Sequence, residues 1–240
     1  GSGGDGGPGD IGLGSGETMI AEERIPEASP LEDEALTEYY SRMAKRHMNF
    51  PVKRVLGRIR AQGIEHGVAL DVGTGPGIFP IAIAEKLPGM EFVAVDLSPA
   101  MVQTARANAR ERGVEDRVHF QVGSAYALPI KDKSVDLVLC VHTMHHLEDP
   151  LAFFNEAARV LKEGGKCVIV DLRRDSPKPL ALFFDLMWRL IIREKKARDG
   201  LWNSLKASLT IDECTVALER SALRQWRIYP QAIEMWIESY

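Results

Sequence analysis

The sequence predicts an α/β domain built on a parallel sheet, on three observations. Val68-Ala69-Leu70 is an apolar run that ends at Asp71 and breaks into Gly73-Thr74-Gly75-Pro76-Gly77, as a strand covered on both faces does when it turns sharply. Apolar runs recur up to Asp96, Val141 and Asp171, with helical spacing between them. At 240 residues, the chain suits one large core.

The elements follow in order. Residues 1–18 form a glycine-rich stretch expected to be disordered; its Gly-Ser start reads as a tag remnant, with Met19 as a candidate natural start. Residues 19–63 are expected to form a helical cap, with two helices between Leu31 and Gly63, and residues 64–240 the main domain. Ile78-Phe79-Pro80-Ile81 resumes at helical spacing, so the glycine turn opens a helix whose free amides face a ligand. A helical insertion is expected over 172–209, and Thr210-Ile211-Asp212-Glu213 has capping-box spacing. Arg224–Tyr229 and Ile233–Ile237 alternate as two short strands around Pro230.

A strand, a bare turn and a helix N-terminus make a nucleotide-cofactor site at the carboxyl end of a sheet. A dinucleotide fingerprint needs a third glycine where this chain has Ile78. The order is instead acidic-x-Gly-x-Gly-x-Gly, led by Asp71, and it resembles the cofactor loop of class I S-adenosylmethionine-dependent methyltransferases. Four further segments match that family in order. Glu91–Asp96 ends a strand in a carboxylate suited to a ribose diol, although Asp96 also reads as a cap for the helix near Pro99. Gln121–Ala125 stands where relatives flank the adenine, with Ser124 in place of a common acidic residue. Ser134–Leu147 carries His-His-Leu after its strand, and Arg159–Asp171 is a helix end, glycine turn and strand.

The resemblance implies a Rossmann-like, seven-stranded, mostly parallel sheet in the order 3-2-1-4-5-7-6. Its last strand is antiparallel, helices cover both faces, and the C-terminal pair closes the sheet as a hairpin. It also implies methyl transfer by in-line displacement, with S-adenosylmethionine as cofactor and S-adenosylhomocysteine as product. The residues assigned to the cofactor are Asp71, Gly73, Thr74, Gly75, Gly77, Asp96, Leu97, Met101, Ser124, Ala125, Val141, His142 and Tyr40.

His142, His145 and His146 stand at i, i+3 and i+4, one face of a helical turn. An imidazole near neutrality suits a proton acceptor, so His145 is the first candidate base, followed by His142 and His146. Packing around the cofactor is the alternative role. Tyr40 and His47 lie where relatives fold an N-terminal helix over the site, and join the candidate catalytic residues. No metal is expected: the histidines with Asp171 offer a ligand set, but no closely spaced carboxylate supports it.

Composition narrows the alternatives. Net charge is −4, without a chain-wide basic footprint for nucleic acid. Cys140, Cys167 and Cys214 are scattered and suit packing in a reducing compartment. With no cationic-then-apolar leader, a cytoplasmic location is expected. Leu180–Ile192 is apolar almost all round and too short to span a bilayer, so stable membrane insertion is not expected. Core or homodimer packing through 180–192 is the first expectation, and a greasy lid over an apolar acceptor the second. Arg193, Lys195, Lys196 and Arg198 follow it and suit brief contact with an anionic membrane. The acceptor is expected to be a small, partly apolar molecule methylated at C, O or N. The rivals are a catalytically silent cofactor-binding subunit, a dinucleotide oxidoreductase and an aminopropyl transferase.

Overall fold

The computed structural model describes residues 20–21, 23–27, 49–192, 194 and 197–240. The glycine-rich start, the first N-terminal helix, Tyr40, His47, Arg193, Lys195 and Lys196 lie outside the described residues. Seven strands form one sheet: β1 (His66–Val72), β2 (Gly89–Asp96), β3 (Val118–Val122), β4 (Val135–Val141), β5 (Leu161–Leu172), β6 (Trp226–Gln231) and β7 (Glu234–Ser239). Their order is β3-β2-β1-β4-β5-β7-β6. Strand β7 pairs antiparallel with β5 and β6, and every other pair is parallel. The Rossmann-like order implied by the sequence is the one observed.

The period of two along each apolar run divides it between two layers. Ala69, Leu137, Leu139, Val168 and Val170 pack with helices α1 (Asn49–Ala61), α2 (Ile78–Lys86) and α3 (Pro99–Arg112). Leu70, Val138, Cys140, Cys167 and Ile169 face α4 (Pro150–Val160) and α7 (Ile211–Arg220) on the other side. All three cysteines are buried and free, and burial raises the Cys167 thiol to about 11. Helix α1 buries Val55 and Ile59 in the first layer, so this part of the expected cap belongs to the core. The capping box at Thr210 and Glu213 opens α7 as its spacing predicts. Pro230 lies within β6, where a sheet edge tolerates its missing N–H.

The insertion folds as α5 (Lys178–Ile191) and α6 (Gly200–Ala207). Ala181 and Leu205 join Leu172 and Ile233 in a small third cluster at the end of β5. The expected core packing of Leu180–Ile192 is not what forms. Only Ala181 and Asp185 of α5 are buried, while Leu182, Phe183, Leu186, Met187, Leu190 and Ile191 are exposed. The physical reason is amphipathicity: α5 meets the domain through one narrow side, and its widest apolar stripe points away. Among the described residues, no helix is long and apolar enough to cross a membrane.

Candidate active site

The strand order reverses between β1 and β4, the switch point at which open α/β sheets take ligands beside the carboxyl ends of their strands. Gly73 and Thr74 donate to the carbonyl of Val95 at 2.8 and 3.1 Å, which folds the turn after β1 back over β2. Gly73, Gly75 and Gly77 all have positive φ, at +71°, +52° and +79°. Their reasons differ. A Cβ on Gly73 would overlap the Thr143 side chain, and one on Gly77 would come within 2.9 Å of Phe120 and 3.1 Å of Ala105. Gly75 alone faces open space, with nothing within 4 Å. Two of the three glycines thus make room for neighbouring side chains of the protein, and Gly75 has open space beside it.

Asp96 ends β2 and is buried. Its Oδ2 accepts from the Gly75 N–H at 2.7 Å and its Oδ1 from the Ser98 N–H at 2.9 Å. Ser98 is the helix cap, accepting from the Met101 N–H at 3.3 Å, so the capping alternative for Asp96 falls away. Burial raises Asp96, and the Ser98 and Gly75 amides partly offset this. The Leu97 amide bonds it as well, so of a carboxylate's roughly four acceptor positions about one stays open for a ligand hydroxyl. Leu97 beside it is exposed. Behind the turn, burial pushes Asp71 up to about 7, with the Asp96 charge adding to the rise. Two carboxylates here suit a nucleoside and its ribose better than a pyrophosphate.

The Gly123 N–H donates to the Asp96 carbonyl at 2.9 Å, which sets the third segment beside the end of β2. Ser124 Oγ accepts from the Tyr126 N–H at 3.2 Å, and Ala125 is half-buried next to it. Tyr126 Oη accepts from the Glu148 and Asp149 amides at 2.7 and 3.2 Å, tying this segment to the turn after β4. Val141 is buried at the end of β4. The Thr143 hydroxyl donates to the Gly73 carbonyl at 3.1 Å, locking that turn to the glycine turn.

The three histidines do not share a face, contrary to the spacing argument. His142 takes a left-handed conformation at φ +54°, and a 3-10 turn begins only at Met144. The His142 ring therefore goes its own way, while those of His145 and His146 stay together. His142 Nε2 lies 3.1 Å from Glu234 Oε1, and its side chain is 34% exposed. Burial alone would lower His142, but the Glu234 hydrogen bond and charge raise it above its usual value. Glu234 is in turn held by Arg54 at 2.7 Å and by the Trp236 indole N–H at 3.2 Å. Burial favours its neutral form, yet His142 and Arg54 keep it below the ordinary carboxylate range.

His145 is 5% exposed and fixed by Asp171, which contacts its Nδ1 at 2.7 Å and accepts its backbone N–H at 3.0 Å. Burial would raise Asp171, but the His145 charge and hydrogen bonds lower it. His146 stacks at 4.1 Å from the His145 ring, and burial with the His145 and Arg24 charges brings it down to about 4.

One contribution left no sequence signal. Residues 23–27 thread between α6 and the histidine turn, with Arg24 donating to the carbonyls of Ala207, His145 and Leu147. Glu27 accepts from the Ser204 hydroxyl at 3.0 Å and stands 3.8 Å from His145 Nε2 and from His146 Nδ1. Among the described residues, Glu27, His145 and His146 are the group whose ligand-type atoms come close enough for a metal, within 4.8 Å. Arg24 beside them supplies a fixed positive charge that works against a cation. Glu234 was also missed; it is the first residue of β7, which carries a second carboxylate at Glu238.

Comparison with known proteins agrees with this geometry. Residues 70–169 match a family described as a methyltransferase domain. An uncharacterized methyltransferase, YcgJ of Bacillus subtilis, is 40% identical over 107 residues, which cover 45% of this chain and 41% of that protein. The chain thus spans less than half the length of that relative. The demethylmenaquinone methyltransferase of Deinococcus radiodurans is 28% identical over 76% of this chain and 77% of its own. A solved S-adenosylmethionine-dependent methyltransferase fold from Methanococcus maripaludis superposes with a TM-score of 0.68, at 22% identity, over 90% of this chain and 95% of that one. Residues 70–169 thus match a methyltransferase domain, and the sheet order with its acidic-Gly-x-Gly-x-Gly turn matches the fold of solved S-adenosylmethionine-dependent methyltransferases.

Proposed function

We propose that this chain methylates a small, partly apolar molecule and that His142 takes the acceptor's proton. The observation that carries the proposal is the His142–Glu234 pair, set at the carboxyl end of β4 beside the glycine turn. In the tautomer that donates Nε2–H to Glu234, Nδ1 keeps its lone pair, and among the described residues nothing bonds it. His145 is the weaker base, because Asp171 occupies one nitrogen and Glu27 faces the other. It holds the turn instead. The left-handed backbone of His142 is the kind of local strain that active sites retain.

When bound, S-adenosylmethionine supplies an electrophilic methyl carbon. The chain's own contribution is placement and proton handling: Asp96 and the open side of Gly75 receive the nucleoside, and Glu234 steadies the imidazole. Positioning of this kind is worth roughly 7–11 kcal/mol in favourable cases. A small acceptor with an apolar ring is supported by the relative named for demethylmenaquinone, which matches over most of both chains. Methylation at C, O or N is compatible with one base at this position.

The test is transfer of labelled methyl from S-adenosylmethionine to a panel of small phenols, quinols and amines. The wild type should label at least one of them. His142→Ala should lose on the order of 10²–10⁴-fold in rate while S-adenosylhomocysteine affinity holds. Labelling confined to protein or nucleic acid refutes the small-molecule reading. Cofactor binding without transfer to anything points to the silent subunit.

A further inference from the structure

The apolar stripe of α5 is the largest unexplained feature of the described surface. Leu182, Phe183, Leu186, Met187, Leu190 and Ile191 recur at i, i+1, i+4, i+5, i+8 and i+9, which is one continuous face. Leu190 is 70% exposed and Leu186 57%. Large side chains of this size leave on the order of 600 Å² of apolar surface in water, the upper end of what monomers tolerate.

Basic residues adjoin the stripe in sequence. The Trp188 indole N–H donates to the Ala197 carbonyl at 3.0 Å, and Arg198 Nε to the Ile192 carbonyl at 3.4 Å. The C-terminal end of α5 is thereby tied to residues 197 and 198. Between the tethered points the sequence reads Arg193-Glu194-Lys195-Lys196, and Lys178 is exposed at the helix start. The chain as a whole is acidic, at −4, so this basic cluster stands against its surroundings.

We propose that α5 is an interfacial membrane helix, lying flat on an anionic lipid surface with its stripe among the acyl chains and the adjoining lysines and arginines at the headgroups. At 14 residues it is about 21 Å long, too short to span a bilayer but long enough to lie in its surface. A second copy of the chain fits less well. The stripe falls short of the roughly 800 Å² per partner of a standard interface. This inference does not depend on which molecule accepts the methyl group.

Co-sedimentation of the full chain with vesicles tests it, using phosphatidylcholine alone and phosphatidylcholine with phosphatidylserine. The wild type should be monomeric, bind the phosphatidylserine vesicles, and release as salt rises. Leu186→Glu with Leu190→Glu should weaken binding on the order of tenfold or more, with melting temperature and S-adenosylhomocysteine affinity unchanged. Should that pair disturb folding, Leu186→Ser with Leu190→Ser removes the apolar anchor more gently and should weaken binding in the same direction. Absence of binding to anionic vesicles overturns the proposal, and so does binding that both pairs leave intact. A wild-type dimer that the substitutions dissociate overturns it in favour of a second copy.

Discussion

The two halves of the site are made from different materials. On the side of β1, β2 and β3, the site is built from backbone: the amides of Gly75 and Ser98 fix Asp96, and the open flank of Gly75 leaves the space. Three short contiguous segments supply all of it. On the side of β4, β5 and β7, the site is built from side chains far apart in sequence, with Glu234 on His142 and Asp171 on His145. The first half is specified by local sequence. The second exists only once the sheet order brings β7 beside β5 and residues 23–27 reach the histidine turn.

The sharpest test of the backbone half sets two of its glycines against each other. Gly73→Ala meets both the left-handed penalty and the Thr143 side chain, and should cost about 3 kcal/mol of stability. Thr143→Ala should restore part of it. Gly75→Ala meets no neighbour and should cost only about 1 kcal/mol in stability, while it weakens S-adenosylhomocysteine binding. Urea denaturation and calorimetry separate the two. Equal losses of stability would mean that Gly75 too serves the fold and not the ligand.

Asp96→Ala comes next. It leaves the Gly75 and Ser98 amides without their acceptor and removes the partner of a ligand hydroxyl. A hydrogen bond to a charged group is worth about 1.5–3 kcal/mol, so cofactor affinity should fall roughly ten- to hundredfold. An unchanged dissociation constant by calorimetry would place the ribose elsewhere.

This contrast also explains what could be read from the sequence. The strands and the glycine turn were legible because periodicity and glycine spacing act over a few residues, while the strand order and the closing hairpin came from the resemblance to a known family. The face shared by the histidines was misread, since one left-handed residue at His142 breaks the helical spacing that the argument assumed. Glu27 gave no sign, because its role depends on Ser204 and on a turn more than 100 residues away. The stripe on α5 was seen, but sequence alone does not tell which side of an apolar helix meets the core.

A pH-dependent effect concerns Asp71. Its folded value of about 7 lies above the ordinary 3.8, because burial disfavours the charge. The folded state therefore holds this proton to higher pH than the unfolded chain, and the group's contribution to stability falls as pH rises from about 4 to 7. Asp71→Asn should flatten that slope and make the variant the more stable form at pH 8. Urea midpoints at pH 5 and pH 8 measure it. A slope that survives the substitution would assign it to other groups, with Asp96 first among them.

The smallest effect probes the side-chain half through the pH profile of methyl transfer. Glu234 raises His142, so the acid limb of kcat/KM, where the base gains its proton, should lie above the ordinary histidine value. Glu234→Gln removes the charge but keeps a hydrogen-bonding side chain, and should move the limb to lower pH. The cofactor's dissociation constant should stay put, because Asp96 and Gly75 do not touch β7. A merely structural Glu234 would lower activity at every pH without moving the limb. A limb that moves when Asp171→Asn is made, and not with Glu234→Gln, would return the proton-accepting role to His145.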